Sequence, residues 1–234
     1  MKQIGEIAVI IQARLGSERT PRKMTRPFAG SSLLDIALPK MLCSAVFYPE
    51  QFFLAVHEEE LAGIGSRHGV NVFRRSECSA RSEGKPLSEL YEWWDQLPFT
   101  YAVLVNACAP LLRIATVDAF IDHYRTMDGD GLFGVLEKRD YFWNVDGVLL
   151  TSSPGRGAVM NTKVVEPTYE AAHCLYAGRM AAIGEGRWMG NLDEPGDIEL
   201  FPMNHLEAFD IDYPWQFEAA EALYRAGIVA QASV

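Results

Sequence analysis

No stretch of this sequence stays apolar for the roughly 20 residues that a membrane-spanning helix needs. The N-terminus also lacks the basic, then apolar, then small-residue order of a signal peptide. Cysteine is scarce: Cys43, Cys78, Cys108 and Cys174 are the only four, and they stand at no paired spacing. That excludes a disulfide framework and a zinc site, and it suits reduced cytosolic thiols. These absences predict a cytoplasmic protein with no membrane contact. Positive charge is also short, 21 Lys and Arg against 31 Asp and Glu, for a net charge of −10. A surface of that sign repels a long polyanion, so nucleic acid is not expected as a partner.

What is present is ordinary globular material, 234 residues of which 49% are hydrophobic and 22% charged. That is ample for one domain with a real core. The cations it does have gather in one place. An apolar run, Ile7 to Ile11, is followed by Gln12-Ala13-Arg14-Leu15-Gly16-Ser17-Glu18-Arg19-Thr20-Pro21-Arg22-Lys23. A strand, a Gly/Ser turn and four cations in ten residues are what a polyphosphate-binding loop requires. Arginine supplies a bidentate fork, lysine a point charge, and glycine lets backbone amides approach an anion. An ordinary basic surface loop has the same composition, so other parts of the chain must decide.

The Ile7–Ile11 run has the pattern of a strand buried on both faces of a parallel sheet. Downstream, strands are expected at 51–56, 70–73, 101–105 and 132–137, and helices at 58–68, 87–97, 114–127 and 215–226. A helix opening at Ser31 or Ser32 meets Pro39, where a kink or break is expected. This alternation predicts a doubly wound, mostly parallel α/β sheet, whose ligands bind beyond the carboxyl ends of its strands. The rhythm changes over 132–190, which reads as an inserted arm or lobe of a single domain covering 1–234. Arms of this kind suggest a homodimer. Leu206–Asp212 reads as extended, so Asp210 and Asp212, two apart, share a face. Such a pair fits Mg²⁺, which binds through one or two carboxylates plus substrate phosphates. Equally, one aspartate could cap the following helix while the other is solvated.

Taken together these residues resemble the CMP-sugar synthetases, the acylneuraminate cytidylyltransferases and their relatives. The family opening, approximately A-R-x-G-S-x-R-x-P-x-K-N, is matched from Ala13 to Lys23, with Met24 in place of the final Asn. The block Q-P-T-S-P-L with a following Arg is similar to Asn106-Ala107-Cys108-Ala109-Pro110-Leu111-Leu112-Arg113, and D-I-D followed by A-E to Asp210-Ile211-Asp212 and Ala220-Glu221. The resemblance implies a nucleotide-diphospho-sugar-transferase-like, GT-A-like fold and transfer of CMP from CTP to a small acidic sugar (nonulosonate- or Kdo-like), with release of pyrophosphate. It implies Arg14, Lys23, Asp210 and Asp212 as catalytic groups. Nucleotide contacts fall on Ala13, Arg14, Gly16, Ser17, Arg19, Lys23 and Arg75, and Mg²⁺ on Asp210 and Asp212. Asn106 takes the place of a family glutamine near the acceptor.

Two blocks depart from the sialic-acid type. R-P-x-x-L-A-x-D-x-x-S is largely missing after Arg75, and R-x-N-G-A-I-Y is replaced by Glu170-Ala171-Ala172-His173-Cys174-Leu175-Tyr176. A carboxylate, Glu170, thus stands where a guanidinium would greet a sugar acid, and His173 arrives beside it. Glu170 and His173 are therefore candidate acceptor residues, although His173 could be an ordinary half-buried histidine and Arg75 a solvated strand end. The rewritten blocks leave open a nucleotidyltransferase with a different acceptor, and a nucleotide-binding module without catalysis.

Overall fold

The computed structural model describes residues 1–81, 84–155 and 157–228. Its centre is a seven-stranded sheet. The strands are β1 (Ile7–Gln12), β2 (Phe52–Val56), β3 (Asn71–Arg74), β4 (Tyr101–Val105), β5 (Gly131–Lys138), β6 (Thr168–Arg179) and β7 (Ile198–Pro202). They lie in the order β3-β2-β1-β4-β6-β5-β7. Only β6 runs against the rest; every other pairing is parallel. The helices are α1 (Leu33–Met41), α2 (Glu59–Arg67), α3 (Glu77–Ala80), α4 (Leu87–Leu90), α5 (Ile114–Thr126), α6 (Met180–Gly184) and α7 (Pro214–Arg225).

β1 explains why its sequence is a continuous apolar run. It is hydrogen-bonded to β2 on one side and β4 on the other, and both its faces are covered. Ile7, Val9 and Ile11 face the core shared with α1, α2, α5 and α7, while Ala8 and Ile10 face Trp93, Met180, Ile183 and Trp188. The chain leaves β1 towards β2 on one side and reaches β4 on the other. Their carboxyl ends therefore form a topological switch point, where the connecting loops diverge and leave a crevice.

Four expectations change. Pro39 lies inside α1 without ending it; its missing N–H removes one ladder bond near the helix's end, and Ser32 anchors the start by accepting from the Asp35 amide at 3.1 Å. The expected helix 87–97 is only α4 and a 3-10 turn, Glu92–Trp94. Trp93 is withdrawn from a helical register because its ring packs on Tyr91 and Trp188 and its Nε1–H donates to Gln12 at 2.9 Å. The segment 206–212 is not a strand: the Ala208 amide donates to the Asn204 carbonyl and that of Phe209 to Leu206, closing turns before Asp210. Finally β5 and β6, inside the stretch 132–190 expected as an arm, are hydrogen-bonded members of the sheet; the described residues of 139–167 lie outside it, as do α6 and 185–190.

Candidate active site

Loop 13–32 leaves the end of β1 and is fastened to the segment 211–221. The Thr20 hydroxyl, fully buried, donates to the Asp212 carbonyl at 2.8 Å. The Lys23 ammonium donates to the Ile211 carbonyl at 2.5 Å and stands 3.6 Å from the Asp212 carboxylate. Arg19 pairs with the other Asp212 oxygen at 2.9 Å. At the far end of the loop the Ala29 amide donates to Glu221 of α7 at 2.8 Å, and Phe28 packs edge-on against Phe217 at 5.3 Å. Ile211 is fully buried and its amide donates to the Cys108 carbonyl at 3.0 Å. With Ile211 anchored inward, Asp210 and Asp212 flank it and both act on Lys23, although no strand carries them.

The result is a pocket of about 390 Å³ lined by Ala13, Arg14, Ser17, Glu18, Arg19, Lys23 and Met24 from the loop, with Gln12, Cys108 and Asp212. Burial raises the pKa of Asp210, the Lys23 charge opposes the rise, and Asp212 adds to it. The buried Cys108 thiol is pushed up to about 12 by burial, so it lines the pocket as a neutral group. Arg14 also borders a second cavity of about 440 Å³, together with Arg75, Arg81 and Lys85. Arg75 is buried rather than solvated: its Nε donates to the Ser79 hydroxyl at 3.0 Å and its Nη2 to the Ser79 carbonyl. Burial lowers its pKa to about 10.

The Gly/Ser turn has hydrogen bonds of its own. The Ser17 amide donates to the Leu15 carbonyl at 2.8 Å, and that of Leu15 to Glu58 at 2.7 Å. Gly16 has no left-handed backbone, and a Cβ there would meet nothing within 4 Å. The left-handed residues of loop 13–32 lie further on, at Arg22 (φ 55°), Ala29 (φ 50°) and Gly30 (φ 83°).

At the other end, Asn106 works as a bracket. Its side-chain amide donates to the His173 carbonyl at 3.0 Å and to Asp210 at 3.2 Å, and its Oδ1 accepts from the Cys108 amide at 2.9 Å. His173 itself has φ 55°, and the glycine of the resembled R-x-N-G-A-I-Y block falls on this residue. Glu170 is placed elsewhere. It pairs with Lys138 at 2.9 Å and lines a cavity of about 640 Å³ beneath Phe142, Trp143 and Leu150.

The family model described as Cytidylyltransferase matches residues 8–233, nearly the whole chain. The chain belongs to the cytidylyltransferase family. A curated relative, the spore coat polysaccharide biosynthesis protein SpsF of Bacillus subtilis (strain 168), is 36% identical over 80 residues, 32% of this chain and 33% of that protein. The aligned stretch thus spans a third of that relative's length. Among solved structures, a CMP:2-keto-3-deoxy-manno-octonic acid synthetase complexed with CTP superposes with a TM-score of 0.65 at 14% identity, covering 95% of this chain and 99% of its own. A cytidylyltransferase from Leptospira borgpetersenii serovar Hardjo-bovis gives 0.60 at 15% identity over 98% of each chain. The 4-diphosphocytidyl-2C-methyl-D-erythritol synthase of Anaerococcus prevotii gives 0.65 at 12%, over 94% of this chain and 96% of its own. At such identities the likeness is one of fold.

The family frame explains which residues the sequence reading missed. Thr20, Gln12, Glu58 and Cys108 all shape the pocket or its loop. Thr20 occupies an unspecified position of the opening motif. Glu58 follows β2 with nothing in its neighbours to mark it. No local signal exists for either, because their partners lie 192 and 43 residues away.

Proposed function

We propose that this protein transfers CMP from CTP to a hydroxyl of a small acidic sugar, of the nonulosonate or Kdo type, and releases pyrophosphate. The observation that carries the reading is the pocket in which the basic loop after β1 meets Asp212. Four-charge triphosphate needs cations on its β and γ groups, and Arg14, Arg19 and Lys23 stand at one wall to supply them. The acceptor oxygen attacks the α-phosphorus and forms the new P–O bond. The bond to pyrophosphate breaks, and the hydroxyl proton leaves to solvent. Holding the two reactants in one crevice supplies much of the rate gain.

Asp210 and Asp212 fit Mg²⁺. They are two hard oxygen donors on either side of a buried residue, and Asp210, disfavoured as an anion by burial and by its neighbour, is relieved by a cation. When bound, Mg²⁺ would neutralise phosphate charge. Lys23 and Arg19 meanwhile orient Asp212. The same reading takes the protein as a cytoplasmic homodimer joined through the arm, without nucleic-acid or membrane partners.

The test is pyrophosphate release from each of the four nucleoside triphosphates with a panel of sugar acids and phosphorylated alcohols. CTP with a sugar acid is expected to support turnover, and Asp212→Ala to abolish it while the circular dichroism spectrum is kept. Full activity in that variant would remove the metal assignment. A second reading, a nucleotidyltransferase with a non-sialic acceptor, is favoured by Glu170, whose ion pair with Lys138 leaves no guanidinium at that position. Turnover only with a neutral or phosphorylated acceptor would establish it. A third, a binding module without catalysis, is supported by the altered 106–109 block; CTP binding without any turnover would establish that one.

A further inference from the structure

His173 is one of four non-glycine residues with positive φ among those described. In that conformation Cβ crowds the following carbonyl. It lies within a large bulge: Phe133 pairs with Tyr176 and Val135 with Ala171, so four residues of β6 stand against Gly134 alone. The core does not require an imidazole there, since Ala172 and Cys174 turn inward and His173 is exposed. The backbone is held by the bracket already described, Asn106 on the His173 carbonyl, and the same amide reaches Asp210. Strain of this kind survives where the surroundings over-determine it, and it concentrates at functional sites.

The imidazole is also oriented. Its Nδ1 lies 3.2 Å from the Tyr176 hydroxyl, and Nε2 has no partner among the described residues. Burial keeps the Tyr176 phenol protonated, and among the described residues His173 is that hydroxyl's hydrogen-bond partner. A phenol O–H donating to Nδ1 places the proton of the neutral ring on Nε2. The rings of Phe133, His173 and Tyr176 form one wall, with Phe133 and Tyr176 edge to face at 5.0 Å and Phe133 and His173 at 6.3 Å.

We propose that His173 is the specificity residue of the acceptor end: its Nε2–H donates to an oxygen of the acceptor, whose apolar ring face rests on the Phe133–Tyr176 wall. The bulge and its strain exist to aim that one N–H. This rests on the cytidylyl-transfer reading and adds the group that selects the acceptor.

His173→Gly adopts the same backbone without the Cβ clash, so it should unfold at no lower temperature than the wild type. In steady-state pyrophosphate release with 2-keto-3-deoxy-manno-octonic acid or N-acetylneuraminic acid, it should raise the acceptor KM at least tenfold and leave the CTP KM within twofold. His173→Asn, which tolerates left-handed backbone and keeps an N–H, should recover most of the loss. An unchanged acceptor KM in His173→Gly overturns the proposal. A readout needing no acceptor is ¹⁵N NMR of labelled histidine, with His173 assigned by its absence in His173→Gly. The Nε2–H tautomer is expected in the wild type and its preference lost in Tyr176→Phe; a wild-type Nδ1–H tautomer overturns the proposal. A wild type that turns over no acceptor would instead remove the cytidylyl-transfer reading, and the tautomer alone would then decide the role of His173.

Discussion

Among single residues, Lys23 and Arg14 divide the work of the basic loop. Lys23 is largely buried and already shares its charge with the Ile211 carbonyl and Asp212, so it organises the pocket as much as it offers itself to phosphate. Among the described residues Arg14 has one long hydrogen bond, 3.4 Å to the Ala80 carbonyl, and it borders both of the cavities described above. Arg14→Ala should therefore leave the fold intact and raise the CTP KM by about 10–100-fold, the size of one lost charge-assisted hydrogen bond. Steady-state kinetics at saturating acceptor checks it. Asp210 makes a prediction of opposite sign for stability and activity. Its folded pKa lies above its unfolded one, so its stabilising contribution is complete below the unfolded value and is lost as pH rises through the folded one. At neutral pH the ionised group is a cost. Asp210→Asn should melt higher relative to wild type at pH 7 than at pH 4 while losing turnover, and a melting difference that does not grow with pH would contradict the burial effect. Of the candidate residues, Ala13, Arg14, Ser17, Arg19, Lys23 and Asp212 come together around one pocket, and sequence could pick them out because each block is contiguous. Asn106 could be picked out by position, but its bonds to His173 and Asp210 could not, since those partners lie 67 and 104 residues away.

At the level of elements, legibility followed burial. Ile7–Ile11 could be read because both faces are covered, and 101–105 for the same reason. β7 could not: Ile198–Pro202 is an edge strand with exposed positions and a terminal proline, so it has neither a continuous apolar run nor a clean alternation. The 87–97 segment was misread because a tryptophan at helical spacing is claimed by tertiary contacts. One feature invisible in sequence is the crossing of residues 188–190 over the sheet's end. Trp188 is buried on the second face, and a Cβ at Gly131 would lie 1.6 Å from the Met189 carbonyl oxygen. That obstacle is backbone and cannot rotate away. Gly131→Ala should cost about 3 kcal/mol or more, the upper end of overpacking penalties, read as a shift in the urea midpoint.

For the molecule as a whole, two surfaces differ in character. The net charge of −10 surrounds a pocket with a cationic wall, so CTP affinity should fall as salt is raised. The other surface is the arm. Trp143, Val148, Leu150, Val159, Met160 and Val164 are all exposed on 139–167. A second copy of this chain covering them is the homodimer proposed above. Light scattering after size exclusion should give twice the chain mass at micromolar concentration, and Trp143→Glu with Leu150→Glu should give the monomer mass with the melting temperature of each subunit's core retained. A monomeric wild type would remove the arm from that role.

The bonds that close the site span most of the chain: Thr20 to Asp212 and Ala29 to Glu221 each join residues 192 apart, and Lys23 reaches Ile211 across 188. Contacts of such separation form late, after the entropy of closing the intervening loop has been met. During synthesis the basic loop thus emerges long before Asp212 and stays without that carboxylate until residue 212 has followed it. A chain cut short before Asp212 carries the basic motif entire, yet lacks the bonds that Asp212 and Glu221 make to it. The basic motif is thus only half of the pocket until the segment 211–221 has docked on it.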